Sequence, residues 1–228
     1  MNTRLFDFLK SFITSHKLHL FEKNIANRTR YIAVLLEDIY QPHNASAVLR
    51  TCDGFGIQDI HIIENKNKYR INPDVTLGSD KWLSIFRYNR LKNNTTEAIH
   101  HLKSKGYRII AATPHNKEKV LDTFDISRGK AVVCLGAEMR GLSEELLEAA
   151  DEYLTIPMSG FIESFNISVS AAIILHYLTL KLRNSGIRWE LSTEEKLDIM
   201  IEWMKRTIPK SDLLVNEFLK RNSGITNF

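Results

Sequence analysis

Ser164, Asn166, Ser168 and Ser170 occupy every second position at the head of an apolar run that continues to Leu182. Just before them, Ile156-Pro157-Met158 closes a short apolar segment, and Ser159-Gly160 supplies a turn. Proline does not fit inside a helix, whereas Asn or Ser ahead of an apolar run starts one, so Ile156–Leu182 reads as strand, loop and helix. A loop rich in backbone N–H groups and hydroxyls, set between a buried strand and a buried helix, is where an α/β protein holds a ligand. A second candidate is the pair Gly136 and Gly141 after another apolar run, with Glu138 between them. The pattern is neither GxGxxG nor GxxxxGK[ST], so turn chemistry explains it as well as a nucleotide loop does. Glu138 reads equally as a functional carboxylate or a solvated loop residue. Arg50 stands among Val48, Leu49 and Thr51 on an otherwise apolar helix, where an Arg is either in a structural ion pair or holds an anion or substrate. Asn44, taken alone, is an N-cap, and so is Asn166.

These residues need elements to position them. Residues 3–22 carry Leu5, Phe6, Phe8, Leu9, Phe12 and Ile13 at helical spacing and read as one helix. Tyr31–Leu36 is the first core strand, and Gln41-Pro42-His43-Asn44 turns the chain into a helix over Ala45–Cys52 that Gly54 and Gly56 break. Ile60–Ile63, Leu83–Tyr88, Arg108–Thr113, Lys130–Leu135 and Tyr153–Ile156 read as further strands, with a helix over Thr95–Lys105 and another starting at Ser143. Glu64–Gly78 is a polar loop, open to motion. Strands alternating with helices give an α/β fold with a mainly parallel sheet and helices on both faces. After Arg183, Asn184-Ser185-Gly186 stops a helix; Ser192 and Glu195 have capping-box spacing, and a last helix covers Asp212–Arg221. The expected organisation is an N-terminal helical extension (1–28), a main domain (29–184) and a C-terminal helical extension (185–228).

Composition narrows the classes. The chain of 228 residues is 43% hydrophobic and 25% charged, with two cysteines, Cys52 and Cys134, too few for a disulfide scaffold or a cysteine-rich zinc site. No HExxH or paired Cys/His spacing appears, and no metal is expected. No segment approaches ~18 uninterrupted apolar residues and the N-terminus lacks a signal-peptide pattern, so the expectation is a cytoplasmic protein with no membrane partner. Net charge is +4 and the isoelectric point near 9.0. Basic clusters at Arg28 and Arg30, at Lys66, Lys68 and Arg70 beside Tyr69, and at Lys205, Arg206, Lys210, Lys220 and Arg221 suit an RNA surface, although solvated charged faces look the same in sequence.

Taken together, the candidates are similar to a known family. NASAVLRTCDGFG (Asn44–Gly56), VVCLGAEMRGLSEE (Val132–Glu145) and IPMSGFIESFNISVSAAI (Ile156–Ile173) resemble, in order and spacing, the three motifs of the TrmH-like (SpoU) branch of the SPOUT RNA methyltransferases. TLGSDKW (Thr76–Trp82) and the tail RWELSTEEK resemble the subgroup that methylates the 2'-hydroxyl of a D-loop guanosine in tRNA. The resemblance covers roughly Thr29–Met204. It implies a C-terminal deep trefoil knot, S-adenosylmethionine held near Thr113, Gly136, Ile156 and Phe165, and a homodimer with the helices of the first and third motifs near its interface. Arg50 is the implied catalytic residue, with Asn44, Glu138, Ser164 and Asn166 arranging the site around cofactor and ribose. The family commonly has Leu and Val where this chain has Phe165 and Ile167. The partner this implies is tRNA, with no DNA expected. Two other readings stand beside it: the same reaction on ribosomal RNA, and a catalytically silent RNA-binding module.

Overall fold

The computed structural model describes residues 2–114, 120–138 and 140–223. Met139 of the second motif lies outside the described residues. In chain order the elements are α1 (Asn2–Lys10), α2 (Ser15–Ile25), β1 (Ile32–Glu37), α3 (Pro42–Phe55), β2 (Asp59–Ile63), α4 (Pro73–Thr76), β3 (Ser84–Tyr88) and α5 (Thr95–Ser104). They continue with β4 (Arg108–Ala112), β5 (Ala131–Leu135), α6 (Glu144–Glu148), β6 (Glu152–Leu154), α7 (Ile167–Arg183), α8 (Thr193–Thr207) and α9 (Ser211–Ser223).

The chain divides into two compact units, Thr29–Trp189 and a second built from Met1–Arg28 with Glu190–Phe228. The two terminal segments thus share one unit. In it the single expected N-terminal helix is two, because the chain turns after Lys10 and Thr14 caps a new start by accepting from the Lys17 amide at 3.2 Å. Ser192 and Glu195 form the expected capping box at the head of α8.

In the larger unit six strands pair in the order β3-β2-β1-β5-β4-β6, each pairing parallel. A parallel sheet buries both faces, and successive side chains go to opposite sides. Ile32, Val34 and Leu36 of β1 therefore join one core with Val48 and Leu49 of α3 and Ile174, Leu175 and Leu178 of α7. Ala33 and Leu35 join the other core, with Ala98 and Leu102 of α5 and Leu146 of α6. β1 and β5 run side by side, Ile32 opposite Ala131 and Leu36 opposite Leu135. Their carboxyl ends bring the chain of the first motif next to that of the second.

The start of α3 differs from the expectation. Asn44 is not an N-cap: Gln41 holds that position and Pro42 begins the helix. Proline suits the first turn because its φ is preset and its missing N–H would have no intrahelical partner there. Asn44 consequently sits inside the first turn, 4% exposed, with its amide unspent on capping. At the other end Gly56 closes α3 in the left-handed region at φ 77°, and Gly54 lies within the helix rather than ending it.

Candidate active site

The carboxyl ends of three adjacent strands, β5, β4 and β6, open into one cleft of about 500 Å³. Such a volume is in the range of small-molecule sites, ~300–1,000 Å³, and the ends of parallel strands are where open α/β sheets place them. Thr113 continues β4, Gly136 continues β5, and Ile156 follows β6; all three line the cleft, as do Ser164 and Phe165 of the loop before α7. Leu142 and Ile174 add apolar wall. Each of the four residues expected around a cofactor is therefore at this cleft, and the mixture of backbone edges and apolar side chains suits an amphipathic, nucleoside-sized group.

Gly136 is fixed by a close approach. A Cβ built there would stand 2.1 Å from the carbonyl carbon of Gly141 and 2.3 Å from the Leu142 amide nitrogen. The loop folds back on itself: the Gly141 amide donates to the Ala137 carbonyl at 2.7 Å, and Gly141 takes φ 66°. Only glycine fits where the strand exit and the loop return share the space. The pair that sequence alone could not separate from turn chemistry is thus a turn that walls the cleft.

Beyond the wall lies a polar cluster drawn from all three motifs. Asn44 Nδ2 donates to Glu138 Oε1 and, at 3.2 Å, to Gln41 Oε1. Asn166 Nδ2 donates to Asn44 Oδ1 at 3.2 Å. The opposite end of the Asn166 amide caps α7, with Oδ1 accepting from the Ser168 amide at 2.8 Å and the Ser168 hydroxyl at 2.6 Å. Asn166 is therefore the expected N-cap and a member of the cluster at once. Glu138 is exposed and lines the cleft, so its carboxylate stands at the solvent edge.

Two candidates stand apart from this cluster: Ser164, which lines the cleft, and Arg50. Arg50 is exposed on α3 and makes no hydrogen bond or ion pair among the described residues. Six residues separate it from Asn44, about 9 Å along the helix and roughly a third of a turn away in direction. The expected alternative of a structural ion pair is not what the structure contains.

Sequence reading passed over Glu37. It ends β1 at 2% exposure and accepts from the Ser143 amide at 2.7 Å, the Ser143 hydroxyl at 2.7 Å and the Thr95 hydroxyl at 2.9 Å. Ser143 caps α6 immediately after the glycine loop. Glu37 thus ties the loop that carries Gly136 and Glu138 to the central strand. A carboxylate directly after the apolar run Tyr31–Leu36 was the available clue.

Residues 31–176 match the SpoU rRNA Methylase family. The chain belongs to the SpoU methylase family. Within it, this chain is 41% identical over 208 residues, 91% of its length and 93% of the relative's, to the tRNA (guanosine(18)-2'-O)-methyltransferase of Borreliella burgdorferi. The solved SpoU tRNA modifying enzyme of Aquifex aeolicus superposes with a TM-score of 0.75 at 30% identity, over 86% of this chain and 98% of that one. A SpoU methyltransferase from Streptomyces viridochromogenes, solved in complex with AdoMet, shares the fold at TM-score 0.58 and 19% identity, over 72% of this chain and 62% of that one. The matched span of the SpoU family takes in β1 through most of α7, and with them every residue of the cleft.

Proposed function

We propose that this SpoU-family chain is a tRNA methyltransferase that transfers a methyl group from S-adenosylmethionine to the ribose 2'-hydroxyl of guanosine 18. The observation that carries the reading is the cluster of Asn44, Glu138 and Asn166 at the edge of the cleft, in a chain so similar along its length to a tRNA (guanosine(18)-2'-O)-methyltransferase. Bound in the cleft, S-adenosylmethionine supplies an electrophilic methyl carried on a sulfonium. Thr113, Gly136, Ile156 and Phe165 are the residues to hold it.

The chain itself must align the ribose and manage its proton. Alignment of two reactants is worth up to ~7–11 kcal/mol in favourable cases. The Asn166–Asn44–Glu138 chain fixes the Glu138 carboxylate, and Ser164 adds a hydroxyl on the cleft wall. Arg50 is a poor general base, because a guanidinium keeps its proton in proteins and offers donors only. Its role in this reading is to stabilise the developing alkoxide.

The working unit in this proposal is a homodimer. α7 leaves Val169 and Leu180 exposed on the side where Ile173 is only half-buried, an apolar stripe three turns long that a second copy would cover. α3 packs on α7, so a second copy seated there would also meet Arg50's helix. The deep trefoil knot of the resembled family belongs to the same proposal. So does a cytoplasmic place of action: Cys52 and Cys134 are buried and form no disulfide, as a reducing compartment allows.

The test is methyl transfer from labelled S-adenosylmethionine to unmodified tRNA and ribosomal RNA transcripts, with the modified ribose mapped. Label at guanosine 18 is the expected result. Label confined to ribosomal RNA overturns the substrate, and absence of both label and cofactor binding overturns the enzyme.

A further inference from the structure

The segment that leaves β2 is built for something the methyl-transfer site does not require. From Asn65 to Arg70 exposure alternates: Asn65, Asn67 and Tyr69 are half-buried, while Lys66, Lys68 and Arg70 are exposed. The inward positions are anchored. Asp38 Oδ1 accepts from the amides of Asn65 and Lys66 at 2.7 Å each and of Asn67 at 3.2 Å. Asn67 Nδ2 donates to the Asp38 carbonyl at 2.7 Å, and Glu64 Oε2 accepts from the Tyr69 amide at 3.0 Å. The far end is pinned as well, by the Asn72 amide donating to Ser46 Oγ at 2.8 Å, two residues from Asn44. Asp38 holds its place at φ 51°, in the left-handed region that non-glycine residues seldom enter. The polar loop expected here is therefore a fastened one.

The anchoring also sorts the charges. The Asp38 carboxylate faces three backbone N–H groups, and Glu64 is taken by Arg87 Nε at 2.7 Å and Nη2 at 2.9 Å. Lys66, Lys68 and Arg70 make no ion pair among the described residues. Lys66 lies in the bend at residues 65–67 that wraps Asp38, and Lys68 and Arg70 follow it on alternate, exposed positions. Three cations distributed along one fastened segment suit a polyanion read at several points and not one small anion, which needs cations that converge. Tyr40, 73% exposed two residues beyond Asp38, offers a ring face of the kind on which single-stranded bases stack. Because every strand pairing is parallel, the carboxyl end of β2 that delivers this segment is the same end of the sheet as the cleft.

We infer that Lys66, Lys68 and Arg70 form a fixed ridge that tracks the phosphodiester backbone of the RNA strand on one side of the methylated nucleotide. The inference rests on the RNA substrate proposed above and assigns that substrate a second contact region. Phosphate contacts set how a strand lies and carry no sequence information, so the ridge governs affinity and positioning, not the choice of base.

The experiment compares direct binding of unmodified tRNA transcript by the wild-type protein, by K66E/K68E and by K105E/K130E. The last pair makes the same charge change toward the opposite, amino-terminal end of the parallel strands, Lys105 ahead of β4 and Lys130 ahead of β5. K66E/K68E is expected to weaken binding at least ~10-fold and to lower the slope of log K against log salt by roughly 0.7–0.9 per lost phosphate contact. K105E/K130E is expected to stay close to wild type, and S-adenosylmethionine titration of both variants reports that each is folded. Unchanged tRNA affinity in K66E/K68E overturns the ridge, as does an equal loss in both double variants, which would reflect net charge alone. Binding is measured without methyl transfer, so a wild-type protein that binds tRNA but labels another RNA sinks the substrate assignment and leaves the ridge to be judged on its own. A wild-type protein that binds no RNA overturns the ridge, and capture of poly-glutamate through Lys66 and Lys68 with tRNA affinity untouched assigns it to acidic protein instead.

Discussion

Asn166 and Asn44 are 122 positions apart in the chain, and the Nδ2 of the first donates to the Oδ1 of the second at 3.2 Å. This contact joins the third motif to the first, and Asn44 passes it on to Glu138 of the second. Each amide is used at both ends: a donor on one side and an acceptor on the other fix the sense of the chain and point the Glu138 carboxylate. Side-chain amides are suited to this because they carry a donor and an acceptor on one group without carrying charge.

Asn166→Asp separates the two duties of that residue. An aspartate keeps the acceptor that caps α7 but replaces the Nδ2 donor with a second carboxylate oxygen facing Asn44. Stability should change by less than about 1 kcal/mol, because Asp caps as well as Asn. Methyl transfer should fall ~10-fold or more as the cluster reorients. Thermal unfolding alongside initial rates distinguishes this from a cap defect, in which both quantities would fall together.

Gly136→Ala tests the loop wall. The added methyl would lie 2.1 Å from the Gly141 backbone, a contact that no side-chain rotation relieves. The loop must move, at a cost of about 1–3 kcal/mol typical of overpacking, and the cleft must change shape with it. Calorimetric titration should find S-adenosylmethionine affinity reduced at least ~10-fold; wild-type affinity would show that the Gly136–Gly141 approach does not shape the cofactor site.

Glu37→Gln leaves the volume of the side chain and removes its charge. The amide nitrogen cannot accept, so at least one of the donors from Ser143 and Thr95 loses its partner in a fully buried place. A loss of about 1–3 kcal/mol is expected by urea unfolding. Cofactor affinity should fall with it, because α6 and the glycine loop lose their tie to β1; a folded variant with wild-type affinity would reduce Glu37 to a core contact.

Acid should weaken the fold through His61. This residue is 3% exposed, and burial first, then the neighbouring charge of His101, lowers its pKa from 6.5 to about 3. Its Nδ1 shares a hydrogen at 2.8 Å with the Tyr88 hydroxyl, which meets His101 Nδ1 at 2.7 Å. The unfolded chain takes up a proton near 6.5 that the folded chain refuses, so stability is full above 6.5 and declines as pH falls from there toward 3. The slope from this residue is about 1.4 kcal/mol per pH unit. Denaturation midpoints at pH 7 and pH 5 should differ less in His61→Phe than in the wild type. An unchanged difference would place the acid sensitivity elsewhere.

Much of this arrangement was legible in the chain. The six apolar runs are strands because each is short, β-branched and bounded by turn residues, and both-face burial of Ile32–Leu36 follows from its lack of polar alternation. The position of Asn44 was not legible. Asn is so good a cap that local preference pointed to Ala45 as the helix start, while the helix starts three residues earlier, at Pro42, and frees the amide for tertiary use. Residues 11–14 hid a helix break for a similar reason: the apolar spacing of α1 continues past Phe12, and only the Thr14 cap marks a new start. Glu37 was missed because its three partners lie 58 and 106 positions away, and no local pattern encodes a contact of that range. The alternation of Lys66, Lys68 and Arg70 was in plain view, but the fastening that turns a charged loop into a ridge depends on Asp38 and Glu64.

Arg50 gives the sharpest division between stability and chemistry. Its side chain is exposed and contacts no polar group among the described residues, so Arg50→Ala should leave the unfolding midpoint within about 0.5 kcal/mol of wild type. The cofactor cleft does not include it, and S-adenosylmethionine affinity should be unchanged. If its guanidinium stabilises the alkoxide that forms on the ribose, turnover should fall ~10²–10³-fold, the usual cost of removing one such donor. Arg50→Lys should recover only part of this, since a point charge lacks the planar fork of donors. Single-turnover rates at saturating tRNA are the decisive readout, because weakened RNA binding would raise KM and spare the rate of the chemical step. A variant that turns over like wild type would move the alkoxide-stabilising role to another cation and leave Arg50 as a surface residue.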